Sequence, residues 1–275
     1  MMLNHRLEEL IDPRKPALSI ASRKFPVCNE RTKIKTLLET LVKNNQKRAI
    51  VADSEGGFKG LINDLDLLGY LGDFGSKTIS KALNSQVKNI MKDNVHLLNK
   101  NQSVKDALIT FKKTGQDVIP IINKDGKVLA LLSKRNLVEV LFKNPVRNEL
   151  MIKHIMVKPM IVKEHFPINE VAKMMSSGNF RRFPLARDDG VIRGIVTVHD
   201  IFSFLGVNKS LRKLSNEKRP IKQIANKKVF AVKPETKVTK AVKIMLENKI
   251  GALPVVEGKT IKGIVTFTDV IDSIK

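Results

Sequence analysis

Two pairs of side chains share a type and a spacing that can do chemistry: Thr197 with Asp200, and Thr266 with Asp269. Each hydroxyl can donate or accept, and each ionised carboxylate offers two acceptor oxygens with no competing donor. Both pairs open an apolar helical pattern, where unsatisfied N–H groups and the positive end of the helix dipole favour an anion. The same spacing is close to that of a capping box, in which hydroxyl and acid satisfy their own backbone. Capping accounts for Asn63, Ser133, Thr197 and Thr266 without any ligand, since all four are good N-caps. It does not demand a carboxylate three residues on, so Asp200 and Asp269 carry the distinction.

The phrase around these residues recurs four times. It reads GLINDLDLL from Gly60, ALLSKRNLV from Ala130, GIVTVHDIF from Gly194 and GIVTFTDVI from Gly263, with starts 70, 64 and 69 residues apart. Each has a small residue, a short apolar strand and a polar turn running into helix-spaced apolar residues. Upstream lies a second strand, VIPII from Val118, FPLA from Phe183 and LPVV from Leu253, in which Pro120, Pro184 and Pro254 align and Ala49 takes the place in the first copy. Proline predicts a strand edge or a first strand position there. Before that strand, Val238, Ala241, Val242, Met245 and Leu246, and likewise Val171, Ala172, Met174 and Met175, make one apolar helix face. Short extended segments precede these helices, with Pro, Thr or Asn to supply turn and cap chemistry. The predicted order is β-α-β-β-α, four times over.

Composition narrows the function. The chain has 275 residues, 42% hydrophobic and 28% charged, with no apolar run long enough for a bilayer span, so a soluble cytoplasmic protein without membrane insertion is expected. Cys28 is the sole cysteine, which excludes an internal disulfide and a thiolate metal cluster. Lys and Arg outnumber Asp and Glu by 50 to 27, a net charge of +23 spread over both halves of the chain. Such a field attracts phosphates, RNA, DNA or an anionic surface. The sequence carries no Gly-rich phosphate loop, no metal-ligand spacing and no nucleophile with an evident base, so no enzyme is expected.

Four copies in register, with these helix and strand patterns between them, resemble the CBS-domain family, whose copies pair into Bateman modules. The resemblance places a leader at 1–13, repeats at 14–73, 86–143, 151–206 and 220–275, and a basic linker at 207–219. It implies a mixed α/β fold of two pseudo-twofold modules, strands from paired repeats forming central sheets, and clefts for an adenosyl ligand. It also implies a non-enzymatic regulatory or sensor protein binding AMP, ADP or ATP, with Mg only as a companion of ATP, and a homodimer. In the family the hydroxyl serves phosphate and the carboxylate serves the ribose diol. Repeats three and four, with Thr197, Asp200, Thr266 and Asp269, are complete. Repeat one keeps Asp66 but has Asn63 in place of threonine, and repeat two has Ser133 but Asn136 in place of the acid. The expected order of occupancy is three and four, then one, then two, because a neutral amide loses charge-assisted bonding.

Adenine would be held by Met160, Ile161, Phe183, Pro184, Val229, Phe230 and Pro254, although each also reads as ordinary core. Arg181 and Arg182, ahead of the third-repeat strand, suit phosphate through their guanidinium forks, while His199 reads as a surface residue. Lys209, Arg212, Lys213, Lys218, Arg219 and Lys222 form a basic strip lacking aromatic residues for base stacking. That strip supports an alternative reading as a nucleic-acid-binding protein through phosphate-backbone contacts. S-adenosylmethionine is a third ligand, less suited to a basic surface.

Overall fold

The computed structural model describes residues 11–72, 79–143, 150–205, 214 and 216–274. The first repeat comprises β1 (Val27–Cys28), α1 (Ile34–Lys43), β2 (Arg48–Ala52), β3 (Phe58–Asn63) and α2 (Asp64–Gly72), followed by a short α3 (Ile79–Asn84). The second comprises β4 (Leu98–Asn99), α4 (Val104–Thr114), β5 (Val118–Ile122), β6 (Val128–Ser133) and α5 (Lys134–Leu141). The third comprises β7 (Val162–Lys163), α6 (Ile168–Ser177), β8 (Arg182–Ala186), β9 (Ile192–Thr197) and α7 (Val198–Leu205). The fourth has α8 (Val238–Glu247), β10 (Ala252–Glu257), β11 (Thr260–Thr266) and α9 (Phe267–Asp272), with a single parallel bridge from Val232 to Val255 where the others have a two-residue strand.

The helices before the hairpins bury equivalent faces. Ile34, Leu37, Leu38 and Leu41 in α1 match Val104, Ala107, Leu108 and Phe111 in α4, Ile168, Val171, Ala172 and Met175 in α6, and Val238, Ala241, Val242 and Met245 in α8. Spacings of three, one and three residues put each set on one stripe. In every repeat the two longer strands pair antiparallel, and all four hairpins carry a register shift at the same place.

Two expectations are corrected by the register. The prolines sit inside their strands, opposite Leu131, Ile195 and Ile264, and the first-repeat residue in that place is Ile50, opposite Leu61, rather than Ala49. The Ile50 N–H donates to the Pro26 carbonyl at 2.9 Å, on the side of the two-residue parallel strand. A proline there gives up that one bond and leaves the antiparallel hairpin in register. Capping also differs: α4 has its box at Ser103 and Asp106, but Lys33, Pro167 and Lys237 precede α1, α6 and α8 with no side-chain cap. The first N–H groups of these helices instead donate to carbonyls of another repeat's leading segment, Ile34 to Ser85 at 3.0 Å, Ile168 to Arg219 at 3.0 Å and Val238 to Leu150 at 2.9 Å.

By its contacts the chain divides into two compact units, crossing from one to the other after Phe25, Val95, Pro159 and Val229. One unit holds the helices and hairpins of repeats two and four with the leading segments of repeats one and three. The other holds those of repeats one and three with the leading segments of repeats two and four. Within the first, α9 packs on α5, and within the second, α2 packs on α6 and α7. Each unit has its own apolar cluster, around Phe111, Leu137, Met245 and Val265 in one and Leu38, Leu67, Met175 and Phe183 in the other.

The leading segments lie across the hairpins as single bridges, Ser22 on Leu131, Lys92 on Leu61, Asn226 on Ile195 and Val157 on Ile264. This close approach explains the small residue that opens each repeated phrase. A Cβ on Gly194 would stand 3.0 Å from the Asn226 carbonyl oxygen, and one on Gly60 3.0 Å from that of Lys92. Gly194→Val should therefore displace the leading segment and destabilise the protein by about 1–3 kcal/mol, measurable by urea denaturation. A stability equal to wild type would show that the segment is not held there.

Candidate functional site

Each final helix begins where its hairpin ends, so the hydroxyl or amide at the junction and the residue three positions on are placed by the same turn. In repeat three the Asp200 Oδ2 accepts from the Thr197 N–H at 2.7 Å and from its hydroxyl at 2.7 Å. In repeat four the Asp269 Oδ2 accepts from the Thr266 N–H at 2.7 Å and its hydroxyl at 2.8 Å. The capping-box reading is therefore met, but it uses one carboxylate oxygen. Oδ1 of Asp200 and of Asp269 takes no hydrogen bond or ion pair from any described residue. Burial pushes the Asp269 carboxyl above the usual range, with the Thr266 hydroxyl and N–H acting against it.

Repeats one and two differ in a way that follows from their residues. Asn63 turns its Oδ1 back to the N–H groups of Leu65 and Asp66, at 2.9 and 3.0 Å, and offers no hydroxyl. Asp66 Oδ2 accepts from the Asn63 N–H at 3.0 Å, and its Oδ1 pairs with the Lys92 ammonium at 2.7 Å. In repeat two, Asn136 Oδ1 accepts from the Ser133 N–H at 3.0 Å and from its hydroxyl at 2.6 Å. The amide thus performs the cap with its one oxygen and has only N–H donors left to present.

Arg182 stands directly opposite Thr197 in the hairpin register, as Arg48 stands opposite Asn63, whereas Val118 and Ala252 occupy that place in repeats two and four. Arg181 is half-buried and already engaged: its guanidinium pairs with Asp64, a buried carboxylate at the start of α2. Around this pair the charges crowd. Burial brings Lys47 down to about 8, Arg182 adds to the shift, Asp64 opposes it, and Arg48 and Arg181 lower it further. His199 lines a small cavity beside Asp64 together with Leu38, Leu67 and Phe202, so it is not simply a surface residue. Sequence reasoning missed Lys47, Arg48 and Asp64; the equivalence of Arg48 with Arg182 was available from the repeat.

The apolar residues expected around adenine divide. Phe183 is 1% exposed and belongs to the core, and Pro184 and Pro254 are buried inside strands, so none of the three is an accessible wall. Met160 and Ile161, 45% and 38% exposed, remain accessible apolar surface beside repeat three. Val229 is partly buried, and Phe230 packs against the core of the unit holding repeat four. Of the basic strip, Lys209, Arg212 and Lys213 lie outside the described residues. Arg219 is engaged, clamping Glu217 through Nε and Nη2 at 2.7 Å each and lying 4.4 Å over the Phe204 ring, with about half of its side chain, 49%, still in solvent. Lys218 and Lys222 are exposed. Among the described residues no helix is long and apolar enough to cross a membrane, and no cluster of His, Cys, Asp and Glu could hold a metal.

Four β-α-β-β-α repeats, each with a side-chain cap at the junction of hairpin and final helix, define a CBS-domain protein, and the CBS-domain model matches residues 17–73, 87–143, 152–207 and 221–275. The chain belongs to that family. It is 28% identical over 271 residues to protein MJ1225 of Methanocaldococcus jannaschii, covering 91% of this chain and 95% of that one. The crystal structure of MJ1225, proposed to be an archaeal homologue of γ-AMPK, superposes with a TM-score of 0.85 at 25% identity, over 94% of this chain and 99% of that chain. A 33.4 kDa protein from a ribosomal RNA operon of Thermofilum pendens is 24% identical over 282 residues, spanning 97% of this chain and 91% of that protein.

Proposed function

We propose that this chain is a non-catalytic regulatory protein that binds adenine nucleotide, with repeats three and four as its working sites. The observation that carries the reading is the spare oxygen of Asp200 and Asp269, held in place by a cap that uses only the other oxygen. A fixed, unpartnered acceptor is what a ribose diol requires, and prior fixing lowers the ordering cost of binding. The likeness to MJ1225 supports a sensor role, because its whole length aligns and its structure has been proposed as that of a γ-AMPK homologue.

Of the two sites, repeat three is the one with cations beside its cap to meet the ligand's phosphates. Arg182 faces the cap of an eight-residue helix, and Lys47 and Arg48 stand in the same cluster. Lys47, with its value near 8, is partly deprotonated in mildly alkaline solution. Phosphate placed beside it favours the ammonium and raises that value. Nucleotide binding should thus take up protons at about pH 8.5 and almost none at about pH 7, where Lys47 is already charged. Titration calorimetry of ADP in buffers of differing ionisation enthalpy checks this. Heats independent of buffer at both pH values would remove Lys47 and its neighbours from the phosphate end of the site.

The reading is tested by titrating the ligand-free protein with AMP, ADP and ATP. Saturable binding weakened by Arg182→Met, more for ATP than for AMP, is expected. No binding of any of the three would refute it.

A further inference from the structure

We propose that Lys92 decides whether the first repeat can be loaded, by occupying with its own ammonium the carboxylate oxygen that a ribose would need. The inference rests on the reading above, in which that oxygen is the ribose acceptor in repeats three and four.

Asp66 is the acid of the first repeat and its side chain is 11% exposed. Both of its oxygens are in use: Oδ2 caps the Asn63 N–H at 3.0 Å, and Oδ1 receives the Lys92 Nζ at 2.7 Å, the length of a charge-assisted bond. The lysine reaches this point because its backbone is pinned. Lys92 is the bridging residue of the leading segment of repeat two, exchanging N–H to carbonyl bonds with Leu61 at 2.8 Å in each direction. Gly60 permits that approach, since a Cβ there would lie 3.0 Å from the Lys92 carbonyl oxygen. The lysine is therefore aimed by main-chain geometry, with 61% of its side chain in solvent.

The equivalent bridging residues show that this is particular to one site. Repeat three is crossed by Asn226, whose Oδ1 accepts from the Lys228 N–H at 2.9 Å. Repeat four is crossed by Val157, which has no polar atom beyond its backbone, and repeat two by Ser22, whose hydroxyl donates to the Lys24 carbonyl at 2.9 Å. Only in repeat one does the crossing residue carry a cation onto the acid. Repeat one is thus the copy that kept its carboxylate and yet has no spare oxygen. Because Lys92 is largely exposed, its pair with Asp66 weakens a ligand by competition rather than barring it sterically.

The test is nucleotide stoichiometry by native mass spectrometry and calorimetry for the full chain and its Lys92→Met variant, with AMP as the probe. Methionine keeps the aliphatic stem and removes the charge at an exposed position, so folding is not at risk. Wild type should load two AMP per chain. Lys92→Met should load a third about threefold to fivefold more tightly than wild type does at the same concentrations, and Asp66→Asn added to Lys92→Met should abolish that third site. Equal loading of wild type and Lys92→Met would overturn the proposal while leaving the reading for repeats three and four intact. So would a wild-type chain that already holds an AMP lost on Asp66→Asn alone. A wild-type chain that binds no AMP at all would overturn both.

Discussion

Replacing Asp200 and Asp269 by asparagine should lower nucleotide affinity at least about tenfold at each site while leaving the protein folded, because it removes a charge-assisted acceptor and keeps the cap. The molecule already contains the control. Asn136 caps the final helix of repeat two with its single oxygen, accepting from both the Ser133 N–H and its hydroxyl. An asparagine at 200 or 269 can do the same, but then faces the ribose with N–H donors in place of an acceptor oxygen. Stability should move in the opposite sense at Asp269. Burial holds its carboxyl above the usual range, so the ionised form opposes folding at neutral pH. That cost fades as pH falls through the folded value and is gone below the unfolded one. Asp269→Asn should thus unfold at or above the wild-type temperature at pH 7, with the difference shrinking on acidification. A calorimetric titration and thermal melts across pH check both halves, and an unchanged affinity for the double variant would remove these carboxylates from the site.

Phe183→Ala should cost about 3–5 kcal/mol, the largest stability loss anticipated here. The ring is 1% exposed, lies 5.5 Å from that of Phe180, and packs in the same cluster as Met175, Leu185 and Val196. As an adenine wall, its removal would instead weaken nucleotide binding and leave the melting temperature nearly untouched. Urea unfolding of the variant beside wild type separates the two outcomes, and a loss below about 1 kcal/mol would return Phe183 to the ligand.

The repeat, the order of its elements and the position of the hydroxyl and acid could all be read from the sequence, because they depend on local periodicity and turn chemistry. The stripe Val238, Ala241, Val242 and Met245 is buried as its spacing requires. What could not be read is set by non-local main-chain pairing. Nothing within ten residues of Asp66 shows that its second oxygen is taken, yet Lys92, 26 positions on, occupies it. Similarly, Arg181 is expected at phosphate from its place before β8, but it pairs with Asp64 from another repeat, 117 residues away. The prolines misled for a related reason. A rule about central strands does not anticipate that a neighbouring strand only two residues long can spare one hydrogen bond.

The central claim concerns one spare oxygen on each of two carboxylates, so the most direct measurement changes the hydroxyl it would accept from. Wild-type protein titrated with AMP and with 2′-deoxy-AMP under identical conditions should bind the deoxy ligand at least about tenfold more weakly, since one hydrogen bond to a charged group is lost. Equal affinity for the two ligands would contradict the account.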